Sequence, residues 1–168
     1  PPRSTLFPYT TLFRSHQVRW RTTLLWVLPA LLFTAAFIIV LAVFDWEPIR
    51  FISTSIEFDG IAEMHLMFWM VAIVGPIFEE FLFRGFLYQG LAQSRLGSHR
   101  AVWIIALIDT AMHTPINAAA IFAYLALSFY HAYMRRQTGS TLPGLLHHLL
   151  HNMIIFLLYA ADQWGAIA

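Results

Sequence analysis

The chain contains no cysteine and no lysine, and its 168 residues carry ten arginines against nine acidic groups. The first absence excludes disulfides and thiolate metal centres. Charge is scarce: 11% of the residues are ionised at neutral pH, against roughly 25% in ordinary soluble domains. A net charge of +1 offers no basic footprint for nucleic acid, and no such partner is expected. What fills the chain instead is apolar. Hydrophobic residues make up 59%, with 15 Phe and 6 Trp, and mean hydropathy is +0.64. This is the composition of an integral membrane protein, with the lipid bilayer as its first partner. Backbone polar groups in lipid must be satisfied internally. The expected fold class is therefore all-α, a polytopic transmembrane helical bundle with about five membrane helices.

The first residues stand apart. Thr5 to Ser15 read TLFPYTTLFRS, which resembles the translation of a sequencing-adaptor oligonucleotide, and the chain starts at Pro1 rather than Met. Residues 1–15 are expected to be non-native and to contribute nothing to the fold. The natural protein is expected to extend further upstream. Residues 16–60 then form a first transmembrane helix and an acidic external loop. Thr23 to Phe44 is an uncharged run long enough to span roughly 30 Å of hydrocarbon. Further apolar segments run over 61–91, 101–113, 117–134 and 142–159. The third is expected to stop near Thr114-Pro115, because proline disfavours helical geometry in the residue before it. Pro143 suits the first turn of the fifth.

Arginine placement orders these segments. Arg19 and Arg21 precede the first, Arg95 and Arg100 lie between the second and third, and Arg135 and Arg136 between the fourth and fifth. The connection after the first segment holds Asp45, Glu47, Glu57, Asp59 and Glu63 against Arg50 alone. With five crossings every arginine-rich connection falls on one side, which the positive-inside rule makes cytoplasmic. The chain is thus expected in the cell membrane as a multi-pass protein, with the N-terminus of this chain in the cytoplasm.

Ionisable groups inside such segments are costly, roughly 2.5–3.5 kcal/mol each at the bilayer centre on insertion scales. Glu79, Glu80, Arg84 and Asp109 all lie there, so a polar site is the default inference. Glu80 and Arg84 are four apart and share a helical face, whereas Glu79 and Arg84 are separated by roughly 140° at 3.6 residues per turn. Glu80 is expected to pair with Arg84 while Glu79 points elsewhere and serves as a general base or acid. At a rise of 1.5 Å per residue, Glu79, His113 and Asn152 lie roughly 20 Å into their helices from the cytoplasmic connections, and His148 about 15 Å. Their depths permit one site. Asp109, one turn before His113, either holds the imidazole or makes a separate polar contact. In the run His147-His148-Leu149-Leu150-His151-Asn152, either His147 with His151 or His148 with Asn152 is an i,i+4 pair able to donate to an oxyanion, and spacing alone does not choose.

Taken together, Glu79-Glu80-x-x-x-Arg84, the later His113 and His148-x-x-x-Asn152 resemble the successive motifs of the CPBP family. These are intramembrane glutamate proteases related to the CAAX prenyl endopeptidase Rce1, called Abi proteins in bacteria. The resemblance covers roughly residues 61–160 and marks 61–168 as the catalytic core. It implies that Glu79 with His113 activates a water for attack on a peptide carbonyl. It further implies that His148 and Asn152 form the oxyanion hole and that Glu80 with Arg84 braces the site. One departure stands out: the family usually has Phe four residues before the second-motif His, and here Asp109 occupies that position.

The expected function is a metal-independent intramembrane endopeptidase acting near the cytoplasmic side of the bilayer, with no cofactor. In a bacterial member the substrate would be a leader peptide, a bacteriocin or signalling peptide, or a membrane-protein tail. Two other readings compete. One is a zinc-dependent membrane peptidase using Glu79, His113 and His148, a ligand set that catalytic zinc accepts, although no His-Glu-x-x-His helix motif is present. The other is a non-catalytic immunity or scaffold protein that keeps the polar core for structure or partner binding.

Overall fold

A computed structural model of the protein describes residues 20–43, 60–113 and 118–163. All regular structure among them is helical. The helices are α1 (Trp20–Val43), α2 (Ile61–Gln93), α3 (Gly97–Met112), α4 (Ala118–Thr138) and α5 (Leu142–Gln163). They coincide with the five expected segments to within a few residues. Of these, α2 and Leu142–Ala161 of α5 are long and apolar enough to cross a membrane, and Trp20–Ala36 is apolar over a shorter length. The all-helical class therefore stands, and span-like length and apolarity belong to two of the described helices. Residues 1–15, Arg19, the acidic connection from Asp45 to Asp59 and Pro115 lie outside the described residues.

Local chemistry accounts for the helix ends. Gly97 (φ 74°) and Gly139 (φ 67°) adopt the left-handed backbone that glycine enters without a Cβ penalty. At Gly139 the amide closes α4 by donating to the Arg135 carbonyl at 3.0 Å. Three residues on, the Leu142 amide donates to Ser140 Oγ at 3.1 Å, and Pro143 follows where an amide has no intrahelical partner. α3 ends at Met112 with His113 as its C-cap, as a following Pro115 leads one to expect.

α2 is not uniform. It widens into π-helical turns over Phe68–Val74 and again over Glu80–Leu87. Such turns are rare and concentrate at functional sites. In each, one carbonyl accepts a hydrogen bond from a side chain on another helix. Asn152 Nδ2 donates to Val71 O at 2.9 Å, and Arg135 Nε donates to Arg84 O at 3.0 Å.

The chain divides into two compact units, Pro1–Trp26 with Phe78–Leu145 and Val27–Ile77 with Leu146–Ala168. In the first, Phe83 and Tyr88 of α2, Ala101, Val102 and Ile105 of α3, and Ala132 of α4 form an apolar core. Ala101 and Ala132 are fully buried, and such small residues allow close helix approach. The start of α1 joins this core through Trp26, whose carbonyl accepts from Tyr130 Oη at 2.8 Å. In the second unit, Phe68 packs edge-to-face on Phe156 at 5.4 Å. Thr34 of α1 lies between His147 and His151 of α5, 3.4 Å from the first and 3.0 Å from the second.

Burial runs against the habit of soluble proteins. Among the described residues Glu80, Arg84, His131 and His147 are buried, while Leu25, Leu32, Trp69, Phe78, Phe122 and Leu157 are exposed. Apolar side chains outward and ionisable ones inward is the arrangement that lipid favours.

Arg135 is buried and its charged guanidinium donates to the Arg84 carbonyl, so removing it forfeits a charge-assisted bond worth about 1.5–3 kcal/mol. Arg135→Met is expected to lower the thermal unfolding midpoint in detergent by roughly 2–4 °C per kcal/mol. Arg100→Met, at an exposed position, should shift it little.

Candidate active site

The site residues of the first unit rise from α2. Glu79 closes its regular segment Gly75–Glu79 and Glu80 opens the π-helical one. The phase calculation at 3.6 residues per turn therefore does not hold from Glu80 onward, because the turn is wider there. The two acids still part company. Glu80 is fully buried, whereas the Glu79 side chain is 28% exposed.

Arg84 is fully buried, and its partners decide what Glu80 does. Nη2 lies 2.7 Å from Asp109 Oδ2 and donates to the Ser128 carbonyl at 3.1 Å and Ser128 Oγ at 2.9 Å. Ser128 in turn donates to Asp109 Oδ2 at 2.6 Å. Charge-assisted N–H···O contacts run at about 2.7–2.9 Å, so Asp109 holds the guanidinium. The expected Glu80–Arg84 pair is present but longer, 3.4 Å from Nη1 to Oε1. Glu80 Oε1 has a nearer neighbour in His131 Nδ1, at 3.2 Å. Its other oxygen rests against backbone: a Cβ built on Gly144 would stand 2.8 Å from Glu80 Oε2.

His113 meets Glu79 across the α3 C-terminus. Its Nδ1 lies 2.8 Å from the Asp109 carbonyl. A carbonyl only accepts, so that contact assigns the proton to Nδ1 and turns Nε2 away from it. Nε2 is 3.9 Å from Glu79 Oε2. The ring also stacks on Tyr124 of α4, with centroids 4.5 Å apart and planes at 28°. Asp109 thus anchors the imidazole through its main chain. Its carboxylate is 3.6 Å from Nδ1, longer than a hydrogen bond, and is committed to Arg84 and Ser128. Of the two roles open to Asp109, the separate polar contact describes its side chain.

His148 and Asn152 lie in the second unit. His148 is buried, and Asn152 uses one amide hydrogen on Val71 O and keeps a second. The alternative pair, His147 with His151, faces Thr34 of α1, the interhelical contact that polar residues make in membranes. One group in the first unit has ligand atoms close enough for a metal ion: Glu79, Asp109 and His113, within 4.8 Å of one another.

Ser128, His131, Tyr124 and Gly144 were not among the expected site residues. A signal for part of this existed. Ser128, His131 and Arg135 recur at spacings of three and four along an apolar helix, one polar stripe at helical period. Nothing in the sequence singles out Gly144, whose role depends on where Glu80 lies.

Residues 61–154 match the family model described as type II CAAX prenyl endopeptidase Rce1-like, more than half of the chain, and the chain belongs to that family. The family is membrane-embedded and generally proteolytic. No curated protein and no solved structure matches the chain. The matched stretch contains Glu79, Glu80, Arg84, His113, His148 and Asn152.

Gly144 yields a prediction of sign. An alanine in a helix gains up to about 1 kcal/mol over glycine. At Gly144 it also pushes a fully buried carboxylate flanked by Arg84 and His131, where overpacking costs about 1–3 kcal/mol. Gly144→Ala is expected to lower the unfolding midpoint. Gly90→Ala, where an added Cβ meets nothing within 4 Å, is expected to raise it.

Proposed function

We propose that the protein is an intramembrane endopeptidase that hydrolyses a peptide bond of a membrane-associated protein or peptide without a metal. The observation that carries this reading is the Glu79–His113 arrangement. A separation of 3.9 Å is too long for a direct hydrogen bond and short enough for both atoms to bond one water. Catalytic contacts are often loose before substrate binds.

In this reading the water oxygen attacks the peptide carbonyl carbon as Glu79 takes its proton. The negative charge moves to the carbonyl oxygen, for which the family resemblance implies His148 and Asn152 as donors. Collapse breaks the C–N bond, and the proton passes to the departing amine. Glu80 and Arg84 take no proton; they keep α2 in register with α3 and α4. The cell membrane, the cytoplasmic N-terminus of this chain and five crossings complete the proposal, supported by the arginine distribution and the family.

The zinc reading gains support from the Glu79, Asp109 and His113 group. Against it, Asp109 Oδ2 is taken by Arg84 at 2.7 Å and by Ser128 at 2.6 Å. A buried guanidinium at that distance also opposes a dication beside it.

The test is cleavage of a mixed peptide library by the full chain in proteoliposomes, beside Glu79→Gln and with a chelator. Chelator-resistant cleavage that falls by roughly 10²–10⁴-fold in Glu79→Gln is expected. Loss of cleavage with chelator would move the assignment to zinc. An effect in cells that survives Glu79→Gln would leave the non-catalytic immunity or scaffold role.

A further inference from the structure

Arg95, His99, Arg100 and Arg136 stand at one end of the first unit, where α2 turns into α3 and α4 closes, and meet no anion among the described residues. The sequence carries no Asp or Glu over 81–108 or over 110–161. Arg136 reaches across to α3 instead. Its Nη2 lies 2.6 Å from His99 Nε2, its Nε donates to Ser98 Oγ at 3.4 Å, and the guanidinium covers the Tyr133 ring at 5.9 Å. A guanidinium only donates, so His99 Nε2 accepts and its ring keeps the proton on Nδ1. The two hydrogen bonds use two of five guanidinium donors. Along α3 from these groups the surface turns apolar. His99, Trp103 and Leu107 recur every four residues on one side of the helix, and Trp103 and Leu107 are more than half exposed. Trp103 lies on Phe129 of α4 at 4.5 Å, and Phe129 stacks on Tyr133 at 6.0 Å. The order from the helix end is polar donors, then aromatic rings about 6 Å on, then aliphatic carbon about 12 Å on, at 1.5 Å per residue.

We propose that this face of α3 and α4 binds an anionic phospholipid, with its phosphate at Arg136, His99 and Ser98 and its acyl chains along Trp103 and Leu107. Phosphate, glycerol ester and hydrocarbon follow one another in a phospholipid in the same order, and tryptophan favours the level between headgroup and chain. Arginine clusters at the membrane surface attract anionic headgroups. A free phosphate would meet the donors and leave Trp103 and Leu107 uncovered. The setting comes from the membrane-embedded family; the peptidase reading is not needed.

The test titrates the full chain, in a neutral detergent, with phosphatidylglycerol, with phosphatidylcholine of the same chains and with inorganic phosphate, and reads the unfolding midpoint. Phosphatidylglycerol should raise the midpoint by binding the folded state, and phosphatidylcholine should raise it less than half as much. Arg136→Gln should raise the phosphatidylglycerol concentration at half-effect roughly fivefold, whereas Arg21→Gln on α1 should leave it unchanged. Should Arg136→Gln not fold, Arg100→Gln, at an exposed position, takes its place in the same comparison. Equal responses to the two lipids overturn the proposal. No change in the site variant, or an equal change in Arg21→Gln, reduces the effect to diffuse attraction and overturns it as well. A midpoint raised as far by inorganic phosphate as by the lipid makes the ligand a free anion and overturns the lipid assignment. None of these readouts involves cleavage, so the peptidase reading stands or falls separately.

Discussion

A guanidinium with no exposed surface needs anions and acceptors around it, and Arg84 collects them from two neighbouring helices. Asp109 comes from α3 at 2.7 Å, and the Ser128 hydroxyl and carbonyl come from α4. Removing one partner of a buried ion pair costs about 3–5 kcal/mol, as much as a large core truncation. This cluster therefore ties α2 to α3 and α4 through directional contacts, within an apolar core whose Ala101 and Ala132 permit close approach. The π-helical turn that carries Arg84 is held from the same direction, by Arg135 on the Arg84 carbonyl.

From that constraint comes the unequal treatment of two adjacent glutamates. Glu80 faces inward and is enclosed by Arg84, His131 and the Gly144 backbone. Glu79 sits just before the wide turn, is part exposed, and meets a histidine whose other nitrogen is fixed by a helix-terminal carbonyl. That carbonyl belongs to Asp109, but any residue there would supply it, so the placement of His113 does not depend on the acidic side chain. In the proposed reading, stability and chemistry fall to different carboxylates one residue apart.

Much of this was legible in the sequence, for identifiable reasons. Helix positions followed from apolar runs and from Pro115 and Pro143 near the ends. Glu79, His113 and the Glu80–Arg84 contact followed from spacing and depth. The π-helical widening of α2 was not legible, because hydropathy at a period of 3.6 carries no mark of an extra residue in a turn. The division of Arg84 between Asp109 and Glu80 was hidden for another reason. It depends on a competition between helices, and sequence spacing ranks contacts only within one. His131 was recoverable from its stripe with Ser128 and Arg135, and Gly144 was not.

The central claim is that Glu80 holds the structure, whereas Glu79, in the proposed reading, serves the chemistry. It is tested most directly by comparing unfolding midpoints of Glu79→Gln and Glu80→Gln in the full chain under identical lipid conditions. Both substitutions are isosteric and each removes one negative charge. The account predicts a drop of roughly 6–20 °C for Glu80→Gln and almost none for Glu79→Gln. Equal drops, or a larger one for Glu79→Gln, would contradict it.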